Sequence, residues 1–511
     1  MIIEPLLDAD DIQGHVMPGY ADADLRLLAV RGHDAAALSS TIRALIESPL
    51  GVTTMRSAFG VRSARKLFLQ GVGPEPEDPL RINLALTRQG LDRLGFVDST
   101  GVDPVFDAGM TGLSTGDPKQ PVRADGNPEP AYPDNWEIGG ATKPFDLLVI
   151  LACKRNVRER TKSIADLVEG STGISVIYQE FGEDLPNNTE HFGFVDGIST
   201  PGIYGEFESD GRQVPITTRY GVPSANGLDF GKPGQPLVWP GRFIVGVPSF
   251  EGDPGEEVNE IFKNGSFLVF RRLQQDVAAF YEDTDAMAVD LANRLDNGQI
   301  DGNLLRETIV GRRQNGQPLM RSGLGPDSLL AINHFFYANP TPALDLTNDE
   351  RVTGTTPDLQ GQRCPFWAHI RKVNPRDGIN DLPEEVPNLQ MLRRGIAFGP
   401  AYDHQLCADA PVNLQSRGLL FLAYQRLIGE QFEQLNTHWM NQFEVPAGGG
   451  HDLLVGLTLS ADGRLAPRRA DWPSSQEQIM TPRTWVIPTG GAYLFAPSLT
   501  ALKLMAQNPI P

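Results

Sequence analysis

The chain has 511 residues, 40% hydrophobic and 21% charged, the balance of an ordinary globular protein with a core large enough to enclose a cofactor. Its 64 acidic residues outweigh 44 basic ones for a net charge of −20, and no basic stripe is visible, which excludes a nucleic-acid partner held through phosphate contacts. Three widely spaced cysteines, Cys153, Cys364 and Cys407, form no CxxC pair, which argues against a zinc ribbon or a disulfide framework and leaves buried free thiols in a reducing compartment.

The N-terminus, MIIEPLLDADDIQGHV, shows neither a positive leader nor an apolar signal core. A cytoplasmic location is therefore expected, with export by another route left open. The first strand is read at Leu25–Arg31, and Asp34 then caps a helix, AAALSSTIRALI, whose apolar positions recur at helical spacing. A strand over Ile82–Leu86 leads into a short helix opened by Thr87 and closed by Gly95. Residues 101–144 are rich in Gly, Pro and Asp and interrupt the pattern, either as an ordered functional loop or as a surface excursion. A buried strand follows at Asp146–Ala152. The longest strongly apolar run, Leu147–Cys153, falls far short of the roughly 20 residues that span a bilayer. A helix over Arg155–Leu167 and a strand over Ile174–Phe181 complete a βαββαβ order, the ferredoxin-like pattern. Residues 198–260, again rich in Gly and Pro, read as a connection between two halves. A second strand–helix opening follows, Ser266–Arg271 and then Gln274–Arg294. Arg417–Met440 patterns as an amphipathic helix with Leu420, Tyr424, Leu427, Ile428, Phe432, Leu435 and Trp439 on one stripe, although its first residues fit a strand equally well. The halves suggest a duplicated unit without a residue-level repeat to prove it.

Three segments carry chemistry. His191–Gly202, HFGFVDGISTPG, sets Asp196 between Gly193 and Gly197, beside Phe194 and Val195. Glycines let backbone approach a flat ligand closely, and an acid in apolar company meets an unusual electrostatic setting. A Gly-rich turn closed by an Asx hydrogen bond is the plainer alternative. Cys364–Arg376, CPFWAHIRKVNPR, sets His369 between an apolar run and the cations Arg371, Lys372 and Arg376. A lone histidine is more often structural than a ligand, but neighbouring cations suit a cofactor that carries carboxylates, as haem does. Leu392–Pro400, LRRGIAFGP, sets Arg393 and Arg394 before a glycine and an apolar turn, with surface charge at a strand end as the alternative.

Together these segments resemble the dye-decolorizing peroxidase family. The likeness lies in a GxxDG motif at Gly193–Gly197, a histidine segment at His369–Arg376 and an arginine segment at Arg393–Gly399. Asp11–Gly14 and Gly490–Leu499 resemble the family's N-terminal opening and C-terminal close. Ala397 stands where the family usually has proline, which loosens a turn and removes no catalytic group. The resemblance implies an α+β fold of two ferredoxin-like halves packed together like a dimeric α+β barrel. Residues 1–200 would form the N-terminal half, ending in the GxxDG motif, 201–260 the connection, and 261–511 the haem-binding C-terminal half. It implies haem b, one per chain, with His369 as the iron ligand and Asp452 as the carboxylate behind the histidine. Asp196 would shuttle protons and Arg393 would supply a fixed positive charge, with Arg394 as the fallback. Gly197, Ile198, Ser199, Asn374, Pro375 and Arg376 are expected along the haem, Arg376 at a propionate, and Leu419 and Phe421 over the distal pocket. The activity implied is oxidation of dyes, phenolics or other bulky donors by hydrogen peroxide. It should be best in acid, because an aspartate ordinarily titrates near about 3.9. A haem carrier or an iron-releasing protein on the same fold is the alternative, and retention of both Asp196 and Arg393 favours catalysis. Donors too bulky for the pocket would pass electrons through aromatic side chains. Tyr402, Trp439, Trp485 and Tyr493 are the candidates, and core packing is the default for each. The partners implied are peroxide and a reducing aromatic substrate, with no nucleic acid and no membrane span; homo-oligomerisation is left open.

Overall fold

The computed structural model describes residues 3–20, 23–96, 103–110, 115–209, 211–218, 230–322, 332–345, 351–378, 386–402, 416–473, 475 and 477–507. Strand β1, Asp24–Gly32, sends Leu25, Leu27 and Ala29 into one apolar cluster and Leu28 and Val30 into another. Both faces are covered, so Leu27–Val30 runs apolar without alternating. Asp34 then accepts a hydrogen bond from Ala37 N and starts α1, Ala35–Glu47. Helix α2, Met55–Leu69, is capped by Thr54 and was not anticipated. It buries only Met55, Ala58 and Phe59 at its N-terminal end, too few to set a helical period. The half continues with β2 (Arg81–Thr87), the short β3 (Ile138–Gly139), β4 (Leu147–Cys153), α3 (Lys162–Glu169) and β5 (Ile174–Gly182). The helix expected over 155–167 is broken at Thr161 into Val157–Arg160 and α3.

The second half opens with β6, Ser266–Gln275, which runs four residues past the expected strand end. Asp276 accepts from Ala279 N and starts α4, Val277–Leu295, so the capping acid lies inside what the pattern reads as helix. Then come α5 (Gly302–Val310), α6 (His369–Val373), β7 (Leu392–Arg393), β8 (Ile396–Phe398) and β9 (Gly418–Gln425). Helix α7 (Gly429–Met440), β10 (Val486–Ala496) and α8 (Leu499–Gln507) complete it. The amphipathic stretch 417–440 is thus a strand followed by a helix. Leu420, Leu422 and Tyr424 fill one core cluster while Phe421 turns the other way, a period of two that the apolar stripe conceals. Helix α7 is wound wide: Glu433 N bonds Ile428 O, five residues back, at 2.9 Å.

Strand pairing repeats between the halves. The N-terminal half pairs in the order β5-β1-β4-β2 and the C-terminal half in the order β8-β9-β6-β10, all antiparallel. Counted along each half, this is fourth-first-third-second and its mirror listing, the ferredoxin-like order. Two joins close the ten-stranded sheet on itself: Leu86↔Phe495 and Thr87↔Leu494 link β2 to β10, and Phe398↔Gly182 links β8 to β5. The fold is therefore α+β, with two ferredoxin-like halves sharing one barrel-like sheet. One core cluster fills the face that carries Leu27, Ile150, Leu268 and Leu422; the other packs the opposite face under α1, α3 and α8. The N-terminal opening and the C-terminal close meet in space, since Gln13 Nε2 donates to Pro497 O at 2.7 Å and Asp11 Oδ1 accepts from Thr500 N at 2.7 Å. Cys153 and Cys364 are buried free thiols, and Cys407 lies outside the described residues. Among the described residues no helix is long and apolar enough to cross a membrane.

Candidate active site

A cavity of about 310 Å³ opens between the 190–199 segment and the C-terminal elements, a size typical of cofactor sites. Its sheet wall is made by Arg271, Leu273 and Gln275 of β6, Leu419 and Phe421 of β9, and Arg393 of β7. Register explains the grouping: Arg271 pairs with Phe421 and Leu273 with Leu419, so these side chains share one face. His369, Ile370 and Val373 of α6 form a helical wall with Leu435, Asn436 and Met440 of α7. The segment Phe192–Ser199 closes a third side.

His369 is the first residue of α6. Its Nδ1 donates to Asp452 Oδ2 at 2.7 Å. Asp452 is fully buried and also accepts from Leu454 N at 2.9 Å and Val455 N at 3.1 Å. Burial alone would raise its carboxyl, but the histidine and the two N–H groups outweigh it, and the group lies below the usual carboxylate range. The histidine side chain is 28% exposed and lines the cavity. With Nδ1 engaged, Nε2 is the atom left for a ligand there.

Asp196 and Arg393 meet on the cavity wall, Oδ1 to Nη1 at 3.5 Å, with side chains 42% and 36% exposed. Asp196 Oδ1 also accepts from Gly197 N, the next residue, at 2.6 Å, a local bond that leaves the carboxylate open to the cavity. Arg393 is steadied by a 2.9 Å bond from Nη2 to Ser199 O. Arg394 goes elsewhere. It donates to His15 O at 3.1 Å and Val16 O at 2.9 Å, and burial pushes its guanidinium down to about 10.

Arg376 lines the cavity and donates to Asn333 O and Phe335 O, both at 2.9 Å. Arg312 stands beside it and was missed from the sequence. It donates to Gly316 O at 2.8 Å and Asn333 Oδ1 at 3.0 Å, and burial and Arg376 push it down to about 10. Buried Arg312 and its half-buried neighbour Arg376, both bonded to neutral oxygens, suit a ligand that brings carboxylates. Ile198, Ser199, Asn374, Leu419 and Phe421 also line the cavity, whereas Gly197 and Pro375 do not. Gly197 closes the Asp196 turn at φ +72, and Pro375 O accepts from Gly378 N at 2.7 Å.

Two more features had no sequence signal. Glu190 lines the cavity and accepts from Phe192 N at 2.8 Å, Phe194 N at 2.9 Å and Gln275 Nε2 at 2.5 Å, tying the Asp196 loop to β6. Burial nevertheless pushes its carboxyl up to about 7. Arg271 is paired with buried Asp117 at 2.8 and 3.1 Å. In its described part, then, the Gly- and Pro-rich stretch 101–144 is an ordered loop that backs the cavity wall. Of the aromatic candidates, Trp439, Trp485 and Tyr493 are buried in the core and Tyr402 is half-buried. A largely apolar cavity with one imidazole nitrogen on a wall and Arg312 and Arg376 among its lining residues fits haem.

No protein-family model matches the chain. A dye-decolorizing peroxidase of Mycetinis scorodonius is 31% identical over 451 residues, covering 83% of this chain and 75% of that protein. A multifunctional dye peroxidase of Amycolatopsis sp. is 30% identical over 437 residues, covering 83% of this chain and 81% of that protein. Among solved structures, an ancestral D-type dye-decolorizing peroxidase aligns with a TM-score of 0.75 at 27% identity, over 98% of this chain and 99% of that one.

Proposed function

The chain belongs to the dye-decolorizing peroxidase family, and from that premise we propose which residues carry its reaction and which donors it serves. It is a haem-dependent peroxidase, an oxidoreductase with peroxide as acceptor. In our reading it carries haem b, one per chain, with His369 Nε2 as the iron ligand and Asp452 setting the tautomer and orientation of the ring. Arg376 and Arg312 take the propionates, Ile198, Ser199 and Asn374 lie along the haem, and Leu419 and Phe421 keep water from its distal face. When bound, the haem supplies the two-electron reduction of peroxide and the one-electron oxidations of donors that follow.

Asp196 moves the proton. Its carboxylate takes a proton from one oxygen of hydrogen peroxide and returns it to the other as the O–O bond breaks. Arg393, which does not deprotonate, holds the negative charge that develops there, and its bond to Ser199 O keeps it aimed. The observation that carries this reading is the Asp196–Arg393 pair, open on the wall of the cavity that also holds the His369–Asp452 pair. Mere storage of haem needs neither residue, so keeping both favours catalysis. The donors are dyes, phenolics and other aromatic reductants. A cavity of about 310 Å³ is filled by the cofactor, so bulky donors react at its edge or at the protein surface. With a carboxylate rather than an imidazole as the shuttle, turnover is best in acid.

The test is an optical spectrum of the haem-loaded protein before and after one equivalent of peroxide, with an anthraquinone-dye assay beside it. Asp196→Asn and Arg393→Leu should each keep the Soret band and lose about a hundredfold or more in peroxide-driven turnover. Arg394→Leu should keep its turnover wherever it folds. A haem-loaded protein with no turnover from acid to neutral pH, or an Asp196→Asn variant at full rate, would refute the reading.

A further inference from the structure

Two buried cations grip the segment that carries Asp452. Lys372 lies one turn after His369 on α6 and is fully buried. Its Nζ donates to Gln442 O at 2.7 Å and to Gly450 O, fastening the stretch that leads into Asp452. Arg468, also buried, donates to Gly456 O at 2.9 Å, to Arg483 O at 2.8 Å and to Thr481 Oγ1 at 3.2 Å. Gly456 N in turn bonds Asp452 O at 3.1 Å, so the aspartate's turn is held from both ends. The two cations thus reach backbone on either side of the buried Asp452 carboxylate, at Gly450 and Gly456, and neither is hydrogen-bonded to His369. Burial pulls the Lys372 ammonium down to about 8, with Asp452 and Glu444 pulling it back up. It therefore stays charged at the acid pH where the enzyme works.

Satisfying loop carbonyls does not require an ammonium in a fully buried position, because desolvating such a charge is costly. The nearby negative charge is what offsets that cost. A carboxylate bonded to a ligating imidazole increases the ring's donor strength toward a metal. Cations placed around that carboxylate work in the opposite direction.

We propose that Lys372 and Arg468 are a buried counter-charge to Asp452, limiting the negative character it passes to His369 and so keeping the potential of the haem iron up. They are positioning residues that act through Asp452, and the proposal rests on His369 as the iron ligand. Signs separate this role from a merely structural one. Losing the counter-charge strengthens the donor and lowers the ferric/ferrous potential. Losing the grip lets Asp452 drift from His369, weakens the donor and raises the potential, as Asp452→Asn does.

The experiment is spectroelectrochemical titration of the haem-loaded protein, with the iron–histidine stretch read by resonance Raman. Lys372→Met should shift the reduction equilibrium about tenfold toward ferric iron, ~59 mV for one electron. Lys372→Arg should stay near the parent, and Asp452→Asn should move the other way. Combining Lys372→Met with Asp452→Asn should add no downward shift, since nothing is left to counter. Arg468→Gln keeps a donor for Gly456 O and should share the sign of Lys372→Met. It decides the matter if Lys372→Met does not fold. An unchanged or raised potential in the neutralised variant overturns the counter-charge. An iron–histidine stretch that survives His369→Ala overturns the ligand assignment instead, and the two failures are read separately.

Discussion

Replacing Glu190 by glutamine probes how the cavity wall responds to pH. In the folded chain the Glu190 carboxyl is pushed by burial, and further by Asp196, from its ordinary 4.5 up to about 7. The folded protein thus keeps a proton that the unfolded chain has already released. Stability from this group is full below about 4.5 and is lost as pH rises to about 7. At about 1.4 kcal/mol per pH unit, that rise corresponds to about 3 kcal/mol. Glutamine copies the protonated acid, with one acceptor oxygen for Phe192 N or Phe194 N and no ionisation. Glu190→Gln should therefore match the parent in acid and gain on it by up to about 3 kcal/mol once the pH has passed 7. Chemical denaturation at a series of pH values measures this directly. A stability difference that stays flat from acid to mildly alkaline pH would show that Glu190 titrates normally and that the cavity does not desolvate it.

Arg376→Leu and Arg312→Leu each remove a charge-assisted partner, worth about 1.5–3 kcal/mol, from the propionate end. Haem should leave these variants about tenfold faster or more in a transfer assay to a haem scavenger, and parental kinetics would refute the propionate assignment. Asp117→Ala strands the buried Arg271 guanidinium and should cost about 3–5 kcal/mol. Adding Arg271→Leu should recover part of that loss in thermal unfolding, and an Asp117→Ala protein as stable as the parent would mean the pair does not hold the insertion to the wall.

Strands β1 and β4 were legible because each carries a continuous apolar run, Leu27–Val30 and Leu147–Cys153, with both faces buried. Helix α2 was not legible, because a helix that buries only its first turn and a half leaves no period to read. Strand β9 was ambiguous for the opposite reason: apolar residues on both faces satisfy a period of two and a helical stripe together. Closure of the sheet rests on pairings such as Leu86 with Phe495, which no local pattern encodes. In the site, His369, Asp196 and Arg393 stand in motifs. Arg312 and Asp117 reach the cavity or its wall from distant segments, and Glu190 stands just ahead of the Asp196 motif, each an ordinary charged residue until the fold brings it there.

Arg393 and Arg394 show how the pleat settles what spacing leaves one residue short. Arg393 pairs in register with Ala423, and Phe421 and Leu419 follow it at steps of two along β9. All three of Arg393, Phe421 and Leu419 line the cavity, as side chains on one sheet face must. The next residue turns to the other face, where Arg394 N bonds Leu422 O at 2.6 Å and its guanidinium caps the carbonyls of His15 and Val16. That face also holds Tyr424, whose hydroxyl lies 2.8 Å from His15 Nδ1. Burial, reinforced by the Arg394 charge, pushes the His15 imidazole down to about 3 and keeps it neutral. One arginine therefore faces the cavity while its neighbour binds the N-terminal segment to the sheet. A one-residue slip in this strand would exchange those two roles and put a core clamp where the reaction needs a charge.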